Sequence, residues 1–129
     1  MADLSQIVDV YFSIVIPIDT PESTGSDKGY FHFAPATSGS IDHVYLMAKT
    51  APGSTKTLTV DVNKNGTTIF TTQASRPSLV DTAVVDASDT PDVTAFVAND
   101  VFTVDVDTST AGTAVADVVA IIRGKQTAK

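Results

Sequence analysis

The stretch Lys56–Thr72, KTLTVDVNKNGTTIFTT, limits what this chain can fold into more than any other, because its alternation and its turn residues together specify a β-hairpin. Leu58, Val60 and Val62 point to one side and Thr57, Thr59 and Asp61 to the other, which is the period of two that a pleated strand imposes. Asn63-Lys64-Asn65-Gly66 then supplies residues that tolerate positive φ. The chain can therefore reverse and return as a second strand, Thr67–Thr72.

The same period recurs along the chain. In Ile7–Ile16, the residues Val8, Val10, Phe12, Ile14 and Ile16 alternate with Ile7, Asp9, Tyr11, Ser13 and Val15, and the first set is expected to face the core. Asp19–Gly29 is dense in turn formers and charge and reads as an exposed loop; Tyr30–Ala34 reads as a short strand stopped by Pro35. Ser40–Lys49 sets Val44, Leu46 and Ala48 against His43, Tyr45 and Met47, and Ala51-Pro52-Gly53-Ser54 turns the chain into the hairpin. Between Gln73 and Asp92, Arg76-Pro77-Ser78-Leu79 reads as a loop and Thr82–Asp86 as a short strand. Val93–Val97 reads as a short strand or single turn before a reversal at Asn99-Asp100. Val101–Asp107 puts Phe102, Val104 and Val106 on one face, and Ala114–Arg123 is the last strand.

About eight strands, turns at roughly 8–12-residue spacing and no sustained helical period imply an all-β fold, an antiparallel β-sandwich of jelly-roll type. With 129 residues the chain suits one domain, 1–129, with 1–6 read as an extended N-terminal arm and 124–129 as a flexible C-terminal tail. The echo between LTVDVN at Leu58–Asn63 and VFTVDVD at Val101–Asp107 is short enough to arise by chance in β-rich sequence.

Composition excludes several function classes. No cysteine means no disulfide, no thiolate metal site and no cysteine nucleophile. A net charge of −7 with eight scattered basic residues opposes phosphate recognition, so no nucleic-acid partner is expected. The apolar run Val10–Ile18 is about half of the roughly 20 residues a bilayer requires, and Pro17 interrupts it. No membrane partner is expected, and Met1-Ala2-Asp3 with Asp9 does not resemble a secretory leader.

Catalytic constellations are missing. There is no Gly-x-Ser-x-Gly, no His-Glu-x-x-His and no phosphate loop; Gly124-Lys125-Gln126-Thr127 lacks the residues around its lysine and reads as a frayed polar terminus. Asp61-Val62-Asn63-Lys64-Asn65-Gly66 opens like a calcium loop, but Thr72 stands where the bidentate Glu belongs and the flanks are strands. Asn65-Gly66-Thr67 is a glycosylation sequon that matters only on a eukaryotic secretory route. His32 and His43, with Asp42 nearby, could meet across strands, although they lack a ligand spacing and read as surface or interface histidines. Asp61, Asp105, Asp107 and Asp117 could pair for acid–base work, but outward Asp on strands more simply discourages edge pairing. No enzyme, cofactor or metal site follows.

The last strand carries the strongest functional signal. Ala116, Val118, Ala120 and Ile122 can fill a core, while the opposite face offers Val115, Val119 and Ile121, broken only by Asp117. In a two-layer sandwich one face of each strand normally meets water, so a strand apolar on both sides needs a cover. Either a long loop, Asp19–Lys28 or Gln73–Asp92, or a second subunit must supply it. The loops are polar and offer few anchors besides Leu79 and Val80, which favours the subunit.

At Leu58–Gln73, LTVDVNKNGTTIFTTQ, followed by Arg76-Pro77, by Thr90-Pro91-Asp92-Val93-Thr94-Ala95 and by Phe102–Asp107, the chain resembles a β-sandwich module of tailed-bacteriophage virion proteins, found in capsid decoration proteins, head fibres and tail fibres. The resemblance covers approximately Ser40–Arg123, and the first 39 or so residues depart from the familiar module. It implies a non-enzymatic structural protein, a capsid decoration or cement protein on the outer surface of the head. Its implied partners are the major capsid protein and its own copies, with a trimer favoured. Interface residues expected on this reading are Leu4, Ile7, Val115, Val119 and Ile121. The alternative is a carbohydrate- or receptor-binding module of a tail or fibre, for which Tyr45 beside His43, or Tyr30 beside His32, are the candidate contacts.

Overall fold

Two antiparallel sheets packed face to face form the molecule, whose residues 9–110 and 115–127 are described by a computed structural model. In chain order the strands are β1 (Asp9–Pro17), β2 (Gly39–Thr50), β3 (Gly53–Lys64), β4 (Thr67–Thr68), β5 (Ser78–Asp81), β6 (Val85–Ala87), β7 (Ala95–Phe96), β8 (Phe102–Ser109) and β9 (Ala116–Thr127). The first sheet has the order β1-β9-β2-β6, and β7 also pairs with β2. Because β9 occupies one side of β2 along its whole length, β6 (at Tyr45–Met47) and β7 (at Gly39–Ser40) share the other. In the second sheet β8 lies on one side of β3, while β5 and β4 share the opposite side.

The all-β antiparallel sandwich expected from the sequence is the fold observed. Its core is the alternation made three-dimensional. Ile16, Val44, Leu46, Val118, Ala120 and Ile122 from the first sheet meet Leu58, Val60, Val62, Leu79, Val104 and Val106 from the second, and none is more than 2 % exposed. Burying each such side chain contributes about 1.5–3 kcal/mol. One end is closed by four phenylalanines in mutual contact: Phe12–Phe33 at 5.4 Å between ring centroids, Phe33–Phe102 at 5.7 Å, Phe96–Phe102 at 5.8 Å and Phe12–Phe96 at 6.0 Å.

Several elements differ from the expectation, each for a local reason. The hairpin turns at Asn65 (φ 51°) and Gly66 (φ 84°), but its return strand is only Thr67–Thr68. Ile69 and Phe70 are both fully buried, so two consecutive residues turn inward and the period of two ends there. Tyr30–Ala34 is not a strand, because only Phe33 makes a bridge, to Phe102. Arg76-Pro77-Ser78-Leu79 is half loop and half strand, since β5 starts at Ser78 and pairs with Thr57–Thr59. Val10, at the outer end of edge strand β1, is 45 % exposed and does not join the core. Gly124–Thr127 is not frayed: it continues β9 between β1 and β2. Gly124 is needed there, since a Cβ would strike the Ser40 carbonyl and lie 3.1 Å from both Ile41 Cα and Phe12 Cζ.

Irregularities in the first sheet decide which side chains face out. The register of β2 against β9 slips between Ile41 and His43, so Ile41 and Val44 both point inward although three residues apart. On β9, Asp117 has φ 55° and interrupts the alternation in the same way. Val115 is therefore 3 % exposed and belongs to the core, which corrects its assignment to an outer interface face.

Candidate interaction surface

The outer side of the first sheet is built from residues paired directly across the ladder. One row runs Pro17, Val119, Met47, Val85; the next runs Val15, Ile121, Tyr45, Ala87. Because directly opposed residues share a face, these eight side chains form one apolar field two rows deep and four strands wide. Val119 and Ile121 lie on the central strand β9 and are half-buried by their neighbours. Val15 is 48 % exposed, Met47 41 % and Val85 51 %, so nothing in the described chain covers the field.

Neither candidate loop closes over it. Asp19–Gly29 turns toward the second sheet, where Gly25 bridges Val106 and the Lys28 N–H donates to the Val104 carbonyl at 2.7 Å. Its first residues reach only the Val119 end, where Ile18–Glu22, Tyr30 and Val115–Val119 wall a hollow. The 73–92 segment extends the sheet sideways as β6.

The outer side of the second sheet is the chemical opposite. Asp61 and Asp105 stand directly across from each other on β3 and β8, with Asp107 beyond. Arg76, its side chain 7 % exposed, lies between Asp61 and Asp107: Nη1 donates to Asp107 Oδ2 at 2.8 Å, and Nη2 donates to the Phe70 carbonyl at 3.2 Å. Its Nε lies 3.3 Å from Asp61 Oδ1 without the alignment of a hydrogen bond. The Thr68 hydroxyl and the Val62 N–H donate to the same Asp61 oxygen at 2.6 and 2.8 Å, and Asn63 Nδ2 donates to Asp105 Oδ2 at 2.6 Å. Burial pushes the Asp61 carboxyl above its ordinary pKa, against the pull of Thr68, Arg76 and Val62, while the Asp105 charge adds to the rise. Of the four carboxylates considered for acid–base work, Asp61 and Asp107 thus share one arginine, Asp105 faces Asp61 across the ladder, and Asp117 stands apart on β9.

The other candidates fall in separate places. His32 is hydrogen-bonded to Asp27 at 2.8 Å, whereas His43 lies opposite Arg123 on the first sheet, so the two histidines do not form one site. Among the described residues no group of three or more His, Asp or Glu could hold a metal ion. Tyr30 donates to Asp19 at 3.3 Å, and that carboxylate pushes its phenol up. In the calcium-like opening, Asn65 accepts from the Val101 N–H and donates to Asp100, closing the turn onto the start of β8.

Val119 and Ile121 lie on the apolar field as the sequence suggested; Leu4 and Ile7 fall outside the described residues. What sequence reasoning missed is that β1, β2 and β6 complete the field through Val15, Met47 and Val85. Their cross-strand register carries that information, and a one-dimensional alternation does not. No protein-family model, curated protein or solved structure matches this chain.

Proposed function

We propose that this chain is a non-enzymatic structural protein of a tailed-phage virion, a capsid decoration or cement protein that binds the outer surface of the assembled head and stabilises it. The observation carrying this reading is the uncovered apolar field on the first sheet, set against an acidic second sheet whose charges are satisfied within the chain. A molecule with one greasy side and one charged side has a direction: the field of Val15, Val119, Ile121, Met47 and Val85 docks, and the Asp61–Arg76–Asp107 side faces water. The jelly-roll winding belongs to the same proposal, supported by the sheet orders and by the Gly25 bridge that lays the 19–29 segment beyond β8.

The mechanism is thermodynamic. A subunit that binds the assembled shell and not its dissociated parts stabilises it by mass action. Contacts of about 800 Å² per partner, repeated against the major capsid protein and neighbouring copies, suffice to hold capsomers together. A trimer at local threefold positions suits this role. The test is light scattering on the purified protein, followed by binding to expanded shells that lack it. Saturable binding that raises the shells' melting temperature is expected, and a protein indifferent to shells overturns the reading.

A further inference from the structure

Beyond the apolar field, at the other end of the same sheet face, the chemistry changes. The next row is Ser13, Arg123, His43, and behind it Tyr11 stands across from Lys125. The slip at Asp42 opens the sheet here, and Gly124, which has no room for a side chain, leaves the floor as backbone. The result is a cavity of about 270 Å³ lined by Tyr11, Ser13, Asp42, His43, Tyr45 and Arg123.

The Arg123 guanidinium carbon lies 5.3 Å from the Tyr45 ring centroid, stacked over the ring and held at the cavity wall. In a chain of net charge −7, no carboxylate among the described residues pairs with it. Arg76, by contrast, is consumed by Asp61 and Asp107, and Lys125 is 3.8 Å from Asp9. Arg123 thus presents planar donors suited to a carboxylate in two-point contact. Tyr11, 75 % exposed, adds an aromatic rim, while Ser13 and Asp42 add a hydroxyl and an acceptor.

We propose that this cavity binds an acidic sugar residue of a glycan, with Arg123 taking the sugar carboxylate, Tyr11 packing on the ring face and Asp42 accepting from ring hydroxyls. The volume suits one pyranose, below the range of about 300–1,000 Å³ typical of larger ligands. Asp42 favours a sugar over an acidic protein side chain, because a sugar ring brings hydroxyl donors for its carboxylate to accept from and an Asp or Glu side chain brings none. The inference goes beyond the decoration reading and does not depend on it.

The test is NMR titration of the full chain with a glucuronate-containing tetrasaccharide and with its carboxyl-reduced counterpart, following the Arg123 side-chain N–H and the tyrosine ring signals. The acidic tetrasaccharide is expected to shift both sets and to bind about tenfold or more tightly than the reduced one, as a lost charged hydrogen-bond pair requires. Arg123→Gln, an exposed substitution, is expected to abolish that preference, and Tyr11→Ala to weaken both ligands alike. Equal binding of the two tetrasaccharides, or an unchanged preference in Arg123→Gln, overturns the proposal. So does absence of sugar binding combined with weakened shell attachment in Arg123→Gln, which would assign the cavity to a protein interface.

Discussion

Arg76 is the residue on which the second sheet depends. Asp61 is nearly water-free and faces Asp105 directly across the ladder, so its charge is tolerable only with the Arg76 cation beside it. Arg76→Met leaves Asp61 buried without its partner and is expected to lower stability by about 3–5 kcal/mol, read as a drop in the urea midpoint at constant slope. Adding Asp61→Asn to that variant should recover part of the loss, and simple additivity of the two substitutions would refute this account. Acid sensitivity has a different origin. The Thr72 N–H donating to Asp92, and the Val97 N–H with the Asn65 amide donating to Asp100, hold both carboxyls below their ordinary values. Their stabilisation is complete above the unfolded-chain pKa of about 3.9 and is lost as pH falls through the folded values. Asp61, shifted upward, has the opposite sign: its contribution is present below about pH 3.9 and is lost as pH rises through its folded value. The Asp92→Asn, Asp100→Asn double variant is therefore expected to show a flatter fall of melting temperature below about pH 4 than the parent. Parallel curves would contradict the assignment.

Among the strands, β9 does the most to organise the fold, since it pairs along its length with both β1 and β2. Its two special positions set its geometry. Asp117, at φ 55°, absorbs the irregularity that sends Val115 inward, and Gly124 lets β2 and β1 close on either side. Gly124→Ala pushes a methyl into the Ser40 carbonyl and against Phe12, and is expected to cost about 1–3 kcal/mol as the sheet gives way. Circular dichroism with a denaturant midpoint measures it, and a neutral outcome would mean that β9 shifts freely against its neighbours. The hairpin that is so visible in the sequence is the lesser element, because its return strand leaves the sheet after Thr68.

As a whole the molecule is a two-faced slab, and under the proposed decoration role its apolar face is the side that attaches. Val15→Glu with Val85→Glu places two charges on positions already about half exposed, so stability should stay within about 1 kcal/mol. Binding to shells should nevertheless be lost, as measured by co-sedimentation. Attachment of the parent protein should resist added salt, because apolar burial is not screened as charge pairing is. Release by moderate salt would shift the contact to the charged face.

Fold class was legible in this chain because strand periodicity is a local property. Leu58, Val60 and Val62, like Val44 and Leu46 or Phe102 and Val104, declare their inward side within five residues, and Asn65-Gly66 declares the turn. The apolar outer side of β9 was legible in Val119 and Ile121 for the same reason. Val115 was not, since a single residue of positive φ at Asp117 reverses the parity and no alternation rule anticipates it. Nor could the sequence order β1, β9, β2 and β6 side by side, which sets Val15, Met47 and Val85 around Val119 and Ile121, or draw Arg76 between Asp61 and Asp107. Local alternation decides which residues avoid water. Which of them meet depends on pairing between segments far apart in the chain, set by the packing of the two sheets together.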